Sequence, residues 1–286
     1  MFRLIRKLYK VPRRICALRE ISRLSRQPDA ASKSLAKVLR GTLHNRPTSE
    51  EKVWIEKIES LRNELNSSSE KVTLMDYGAL SSDESCVEPK TSEGKVKIET
   101  IGEVCRTASK PYKWSFLLLK LIREFKPSVC LELGTCLGIS ASYQAAALKL
   151  NHSGRLVSLE GAESLARLAE GYFKKLGFDN IEVVVGLFQN TLKDVLEKNA
   201  PIDYAFVDGH HQEEPTIGYF RQILPFLSDR AVLIFDDISW SDGMKRAWST
   251  IKAYESVKVC VDLSYVGICI IDNSKDRKEN YKIDIS

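Results

Sequence analysis

Apolar positions along this chain follow two regimes. Up to about residue 65 they recur every three to four places. Leu4, Ile5, Leu8, Ile15, Leu18, Ile21 and Leu24 mark one stretch, Leu35, Val38, Leu39 and Leu43 a second, and Val53, Trp54, Ile58, Leu61 and Leu65 a third. That spacing gathers each set on one face of a helix. Pro12 removes a backbone donor and is expected to split the first stretch into two short helices. Thr48 with Glu51 makes a capping box that opens the third helix. Residues 81–95 are polar, with Ser, Glu, Pro and Gly, and predict a loop.

From about residue 98 short apolar runs alternate with helical patterns. Helices are predicted over 114–125, 139–150, 164–176, 191–198, 214–227 and 244–254. Strands are predicted over 129–133, 156–160, 181–186, 204–208 and 231–236. Such alternation builds a doubly wound parallel sheet. The last apolar runs, 257–263 and 265–271, are joined almost directly, which forces them antiparallel. The expected class is therefore α/β: a doubly wound, seven-stranded sheet closed by an antiparallel C-terminal hairpin, with a helical N-terminal extension. The expected division is a basic extension over 1–80, a polar linker over 81–97, the α/β domain over 98–273 and a polar tail over 274–286.

Charge changes the picture in one place. The chain carries +5, yet residues 1–46 hold thirteen Lys/Arg against two acids, Glu20 and Asp29, a net of +11. The α/β part is therefore acidic, and the overall basicity does not point to nucleic acid. Residues 1–26 could lie on an anionic membrane surface, or pack on the domain or on a second subunit. Seven cysteines, an odd number without a C-x-x-C pair, fit a reducing compartment, and a cytoplasmic location is expected. No apolar stretch reaches the length of a membrane span.

The candidate chemistry sits at the ends of the predicted strands, where open α/β sheets bind ligands. Leu131-Glu132-Leu133-Gly134 is followed by Gly138 and Ser140, a tight turn feeding a helix. Glu160 ends the next apolar run, where an acid can accept both hydroxyls of a ribose. Asp208, Asp236 and Asp237 end two more. The glycine spacing is G-x-x-x-G, which counts against the G-x-G-x-x-G of dehydrogenases.

Together with Val184-Val185-Gly186-Leu187-Phe188-Gln189, Phe206-Val207-Asp208-Gly209-His210-His211 and Ile234-Phe235-Asp236-Asp237, these motifs resemble the class I S-adenosylmethionine-dependent methyltransferases. Within them, residues 98–272 are similar to the catechol/caffeoyl-CoA-type O-methyltransferases and to the bacterial F-x-D-G-x-H family. The resemblance implies a Rossmann-like fold. It implies S-adenosylmethionine as cofactor, held by Glu132, Gly134, Gly138, Ser140, Glu160, Phe188, Gln189 and Asp208. It implies Asp208, Asp236 and Asp237 as ligands of Mg²⁺ or another divalent cation, a set of hard oxygens suited to such ions. Where the catechol-type enzymes carry an Asn as third ligand and a catalytic Lys, this chain has Asp237 and His211, so His211 is the expected base, beside Asp208. Trp240, Asp242, Met244 and Trp248 fall near the substrate mouth, although Trp248 reads equally well as packing. The expected reaction is O-methylation of a small-molecule acceptor. Two other readings stay open: a scaffold that uses the basic arm for membrane or nucleic-acid contact, and an NAD-type oxidoreductase. Homo-oligomerisation is compatible with the sequence.

Overall fold

A computed structural model describes residues 2–76 and 95–285, with side chains at 13–74 and 96–285. Three helices come first: α1 (Phe2–Ser25), α2 (Ala30–Leu43) and α3 (Ser49–Asn66). The helix α1 runs through Pro12 without a break, so the expected split does not occur. Asp29 caps α2 by accepting from the Ser32 amide. Thr48 and Glu51 form the reciprocal capping box at α3. Strands β1 (Lys71–Asp76) and β2 (Lys95–Thr100) pair antiparallel in a sheet of their own. The body of the expected linker lies outside the described residues, and 95–97 belong to β2.

The helices α4 (Ile101–Ala108) and α5 (Tyr112–Phe125) lead into the main sheet. The alternation that follows is β3 (Val129–Leu133), α6 (Ile139–Asn151), β4 (Arg155–Glu160), α7 (Glu163–Leu176), β5 (Ile181–Val185), α8 (Phe188–Asn199), β6 (Ile202–Val207), α9 (Glu213–Ile223), β7 (Leu227–Phe235) and α10 (Asp242–Ala253). Then come β8 (Val257–Asp262), β9 (Gly267–Asp272) and β10 (Glu279–Lys282). The spatial order is β10-β8-β9-β7-β6-β3-β4-β5. Neighbours from β7 to β5 run parallel, and β9 lies antiparallel between β7 and β8. The chain winds outward in both directions from β3 and β6. Their carboxyl ends, at Leu133 and Val207, form the crevice where such sheets take ligands.

The sheet has eight strands, not seven. The expected polar tail supplies β10, which pairs parallel with β8. Tyr281, Ile283 and Ile285 repeat at every second position and all are buried. Their alternation is the period of a half-buried strand, with Lys282 and Asp284 between them. The strand is clasped by α1. The Arg23 guanidinium lies 4.1 Å from the Tyr281 ring centroid, and Arg23 Nη2 donates to the Asn280 carbonyl. Ala17, Ile21 and Leu24 are buried beside it. The C-terminal half of the basic arm is therefore a structural part of the domain. Ile283→Ala should cost about 2–5 kcal/mol, read as a lowered urea midpoint at unchanged slope. A midpoint equal to the parent's would show that β10 adds nothing.

Apolar side chains fill both faces of the sheet. The helices α5, α6 and α7 cover one face and α8, α9 and α10 the other, while α2 and α3 form a further layer over α5 and α6.

Candidate functional site

The carboxyl ends of β3, β4, β6 and β7 border one cleft of about 550 Å³. Gly134, Cys136, Glu160, Leu187, Phe188, Asp208, His210, His211, Asp236 and Asp237 line it, together with Lys110 and Trp240. A volume of that size suits a nucleoside-sized ligand together with a small second molecule.

The turn after β3 is fixed by backbone bonds. The Gly134 amide donates to the Leu159 carbonyl at 3.0 Å, and the Gly138 amide donates to Thr135 at 2.8 Å. Gly134 has φ +105°, and a Cβ there would fall 2.1 Å from the Asp208 carbonyl oxygen. A glycine is thus required by the close approach of β3 and β6. Gly138 has φ +76°, and a Cβ on it would meet the Phe173 ring of α7 at 2.6 Å. It serves packing beneath the cleft and does not line it.

Glu160 is held by the turn itself. Its two carboxylate oxygens accept from the Cys136 and Ala162 amides at 2.7 and 2.8 Å. Burial raises its pKa, against the lowering pull of those amides. The carboxylate remains on the cleft wall with lone pairs to spare for a diol. Phe188 forms the facing wall, its ring edge-on to His210 and Tyr219. The Tyr219 hydroxyl and His210 Nδ1 are hydrogen-bonded at 2.6 Å. Burial lowers the His210 pKa and favours its neutral form.

Three other expected cofactor residues also lie away from the cleft. Glu132 and Ser140 are buried below it, and Gln189 is exposed on α8. Glu132 stands one position before the end of β3, so its side chain faces the α6 layer. There Ser140 and Gln144 donate to one of its oxygens and Ser158 to the other, at 2.6–2.7 Å. Burial pushes its pKa up to about 7 despite those donors. A carboxyl whose folded pKa is raised adds stability below its unfolded pKa, and that contribution fades as pH climbs through the folded value. Stability should thus fall by about 3 kcal/mol between pH 4.5 and 7 from this group alone. Glu132→Gln, which keeps the three partners, should remove that fall. Urea unfolding at pH 5 and pH 8 checks it, and equal slopes in parent and variant would contradict it.

The carboxylates at β6 and β7 meet differently from the expected trio. Asp208 and Asp236 come together, and the donor atoms of Asp208, His211 and Asp236 lie within 4.8 Å of one another. Asp237 is not in that group. It takes a left-handed φ of +50°, and its Oδ2 lies 4.0 Å from His211 Nδ1 on the cleft wall. His211 Nε2 is 3.7 Å from Asp208 Oδ1.

Between the two carboxylates stands Lys110, which nothing in the strand-end motifs signals. Its ammonium contacts Asp236 Oδ2 and lies 3.3 Å from Asp208. The side chain is only 10% exposed. Lys110 lies in the link between α4 and α5, directly before Pro111, which biases its backbone to an extended form. The donor set alone would suit a hard divalent cation. With the lysine in place the group does not fit such an ion, because the ammonium occupies the gap between the two carboxylates and an entering ion would have to displace it. At 4 Å and an effective dielectric of 20, the ammonium repels a unit of positive charge, and each carboxylate attracts it, by about 4 kcal/mol.

Farther out, Trp240 stands exposed at the rim. Trp248 is buried against Phe235 and covers Gly267, a packing role. Met244 is buried within α10, and Asp242 is exposed at its start. Among the described residues no helix is long and apolar enough to cross a membrane.

Comparison with known proteins gives consistent results. Residues 131–238 match the family model described as a methyltransferase domain. Over 113 residues the chain is 30% identical to protein-L-isoaspartate O-methyltransferase 2 of Archaeoglobus fulgidus, covering 38% of this chain. It spans about half (47%) the length of that curated relative. Among solved structures, the O-methyltransferase from Bacillus cereus in complex with SAH superposes at a TM-score of 0.50 with 23% identity, over 58% of this chain and 83% of the other. A caffeoyl-CoA O-methyltransferase-like structure from Staphylococcus aureus gives 0.52 at 16%, over 59% and 88%. At these identities the two structures establish the fold. Residues 131–238 thus match a methyltransferase domain, and the sheet around them has the fold of the two O-methyltransferase structures.

Proposed function

We propose that the chain is an S-adenosylmethionine-dependent O-methyltransferase acting on a small molecule. The observation that carries this is the pairing, across one cleft, of a nucleoside-shaped half with a charged half. Glu160 and Phe188 offer a ribose acceptor and an apolar wall, and Asp208, His211 and Asp236 border the other side. The methyltransferase family match and the SAH-bound neighbour support the choice of cofactor over NAD, as does the spacing of Gly134 and Gly138.

In the reaction, the acceptor hydroxyl lies beside Asp208 and His211. His211 takes its proton. S-adenosylmethionine, held by Glu160 and Phe188, would supply the electrophilic methyl group that the acceptor oxygen takes, with the neutral thioether as the leaving group. Alignment of the two reactants supplies roughly 7–11 kcal/mol of the barrier, and the base a factor of about 10²–10⁴. Trp240 at the rim offers a flat face for an aromatic acceptor. The basic helix α1, whose outer face remains exposed at Arg13 and Ile15, could bring the cleft to an anionic surface.

The test is transfer of a labelled methyl group from S-adenosylmethionine to a panel of phenolic, sugar, polyketide and lipid-headgroup hydroxyl acceptors. Label should appear on oxygen and fall about 10²–10⁴-fold in His211→Ala. Label found only on nitrogen or carbon would refute the O-methyl assignment. An undiminished rate in His211→Ala would refute the assigned base.

A further inference from the structure

We propose that Lys110 is the resident cation of this site, taking the place that a divalent ion would occupy and presenting a single hydrogen-bond donor to the acceptor oxygen. This rests on the methyl-transfer reading for its chemistry, but not for its main test.

Four observations carry it. The Lys110 ammonium lies between the carboxylates of Asp208 and Asp236, at the ends of adjacent strands. Asp236 is 2% exposed, so its charge needs a partner within the protein. Among the described residues, Lys110 is the cationic side chain paired with either carboxylate at 3.3 Å or less. The lysine is anchored where it enters, since its carbonyl accepts from the Ser115 hydroxyl of α5 at 3.1 Å and Pro111 follows it. The amine therefore reaches the carboxylates from a braced backbone and lines the cleft.

The chemistry differs from that of a metal in a specific way. A divalent ion with open positions can bind two neighbouring oxygens of a substrate. An ammonium has three donors. With two directed at Asp208 and Asp236, one remains. Lys110 can hold one acceptor oxygen and favour its negative charge as the proton moves to His211. The acceptor class that fits is a molecule with a lone hydroxyl, with no requirement for a vicinal diol.

The test is titration of the full-length chain with Mn²⁺, read by the electron paramagnetic resonance of the free ion. The parent chain should show no stoichiometric site at micromolar Mn²⁺. Lys110→Met keeps the apolar stem and removes the charge. It should gain one site per chain, tighter than anything in the parent by at least ~100-fold, and lose it again in Lys110→Met/Asp236→Asn. One Mn²⁺ bound per parent chain and released by Asp236→Asn would overturn the proposal, because the ion would then displace the lysine. A folded Lys110→Met chain that takes up no Mn²⁺ would overturn it as well. If Lys110→Met does not fold, the parent titration decides alone. Binding of S-adenosylmethionine, measured separately, distinguishes the outcomes: a parent that binds both cofactor and Mn²⁺ is a methyltransferase in which this proposal fails.

Discussion

Gly134→Ala should abolish cofactor binding and destabilise the fold by about 4 kcal/mol or more. Two costs combine. The residue holds φ +105°, a region that L side chains rarely adopt. The new Cβ would also fall 2.1 Å from a backbone oxygen, that of Asp208, which no rotamer change can move. Relief requires β3 and β6 to part, although the Asp208 amide is bonded to the Leu133 carbonyl at 2.9 Å. Parting them breaks that bond and displaces the carboxylate of Asp208 from the cleft. A loss of this size is unusual for one methyl group, and steric conflict with the backbone is among the few causes that produce it. Urea unfolding and cofactor titration read the two effects. A Gly134→Ala chain with the parent's midpoint and affinity would contradict the tight β3–β6 crossing.

Asp236→Ala should cost about 3–5 kcal/mol, because it strips the closest partner from a largely buried ammonium. Lys110→Met in the same chain should restore at least half of the loss, since the unpaired charge is then gone. Asp237→Ala is the internal control. Its carboxylate is 30% exposed and stands 4.0 Å from His211 Nδ1, so under ~1 kcal/mol is expected. Equal losses for Asp236→Ala and the double variant would show that the pair is not what stabilises this corner of the sheet.

The strand ends were legible because a parallel sheet collects them on one edge. Once the alternation is read, Gly134, Glu160, Asp208 and Asp236 must be neighbours. The distinction between residues above the edge and residues beneath it was not read. Glu132, Gly138 and Ser140 belong to the same motif as Gly134, yet strand parity and the approach of Phe173 place them in the packing layer. Asp237 follows Asp236 directly, yet with its left-handed backbone its carboxylate stays outside the group formed by Asp208, His211 and Asp236. Lys110 was invisible to motif reading. It lies in a short link between helices, and only the three-dimensional course of that link brings it to the carboxylates. The strand β10 was hidden for a compositional reason. Tyr281, and Ile283 and Ile285 just beyond the strand, are interleaved with Lys282 and Asp284 in a segment that reads as polar overall. The basic arm shows the converse. Its charge left both a membrane surface and packing on the domain open, and the buried Ala17, Ile21 and Leu24 show that its second half is built into the domain.

The most direct measurement is calorimetric titration of the full-length chain with S-adenosylmethionine and with its demethylated product, using NAD as control and Glu160→Ala as the variant. One site of micromolar affinity for both sulfur compounds, no heat from NAD and a marked loss in Glu160→Ala are expected. A folded chain that takes up neither sulfur compound, or that binds NAD in the same cleft, would contradict the proposed function.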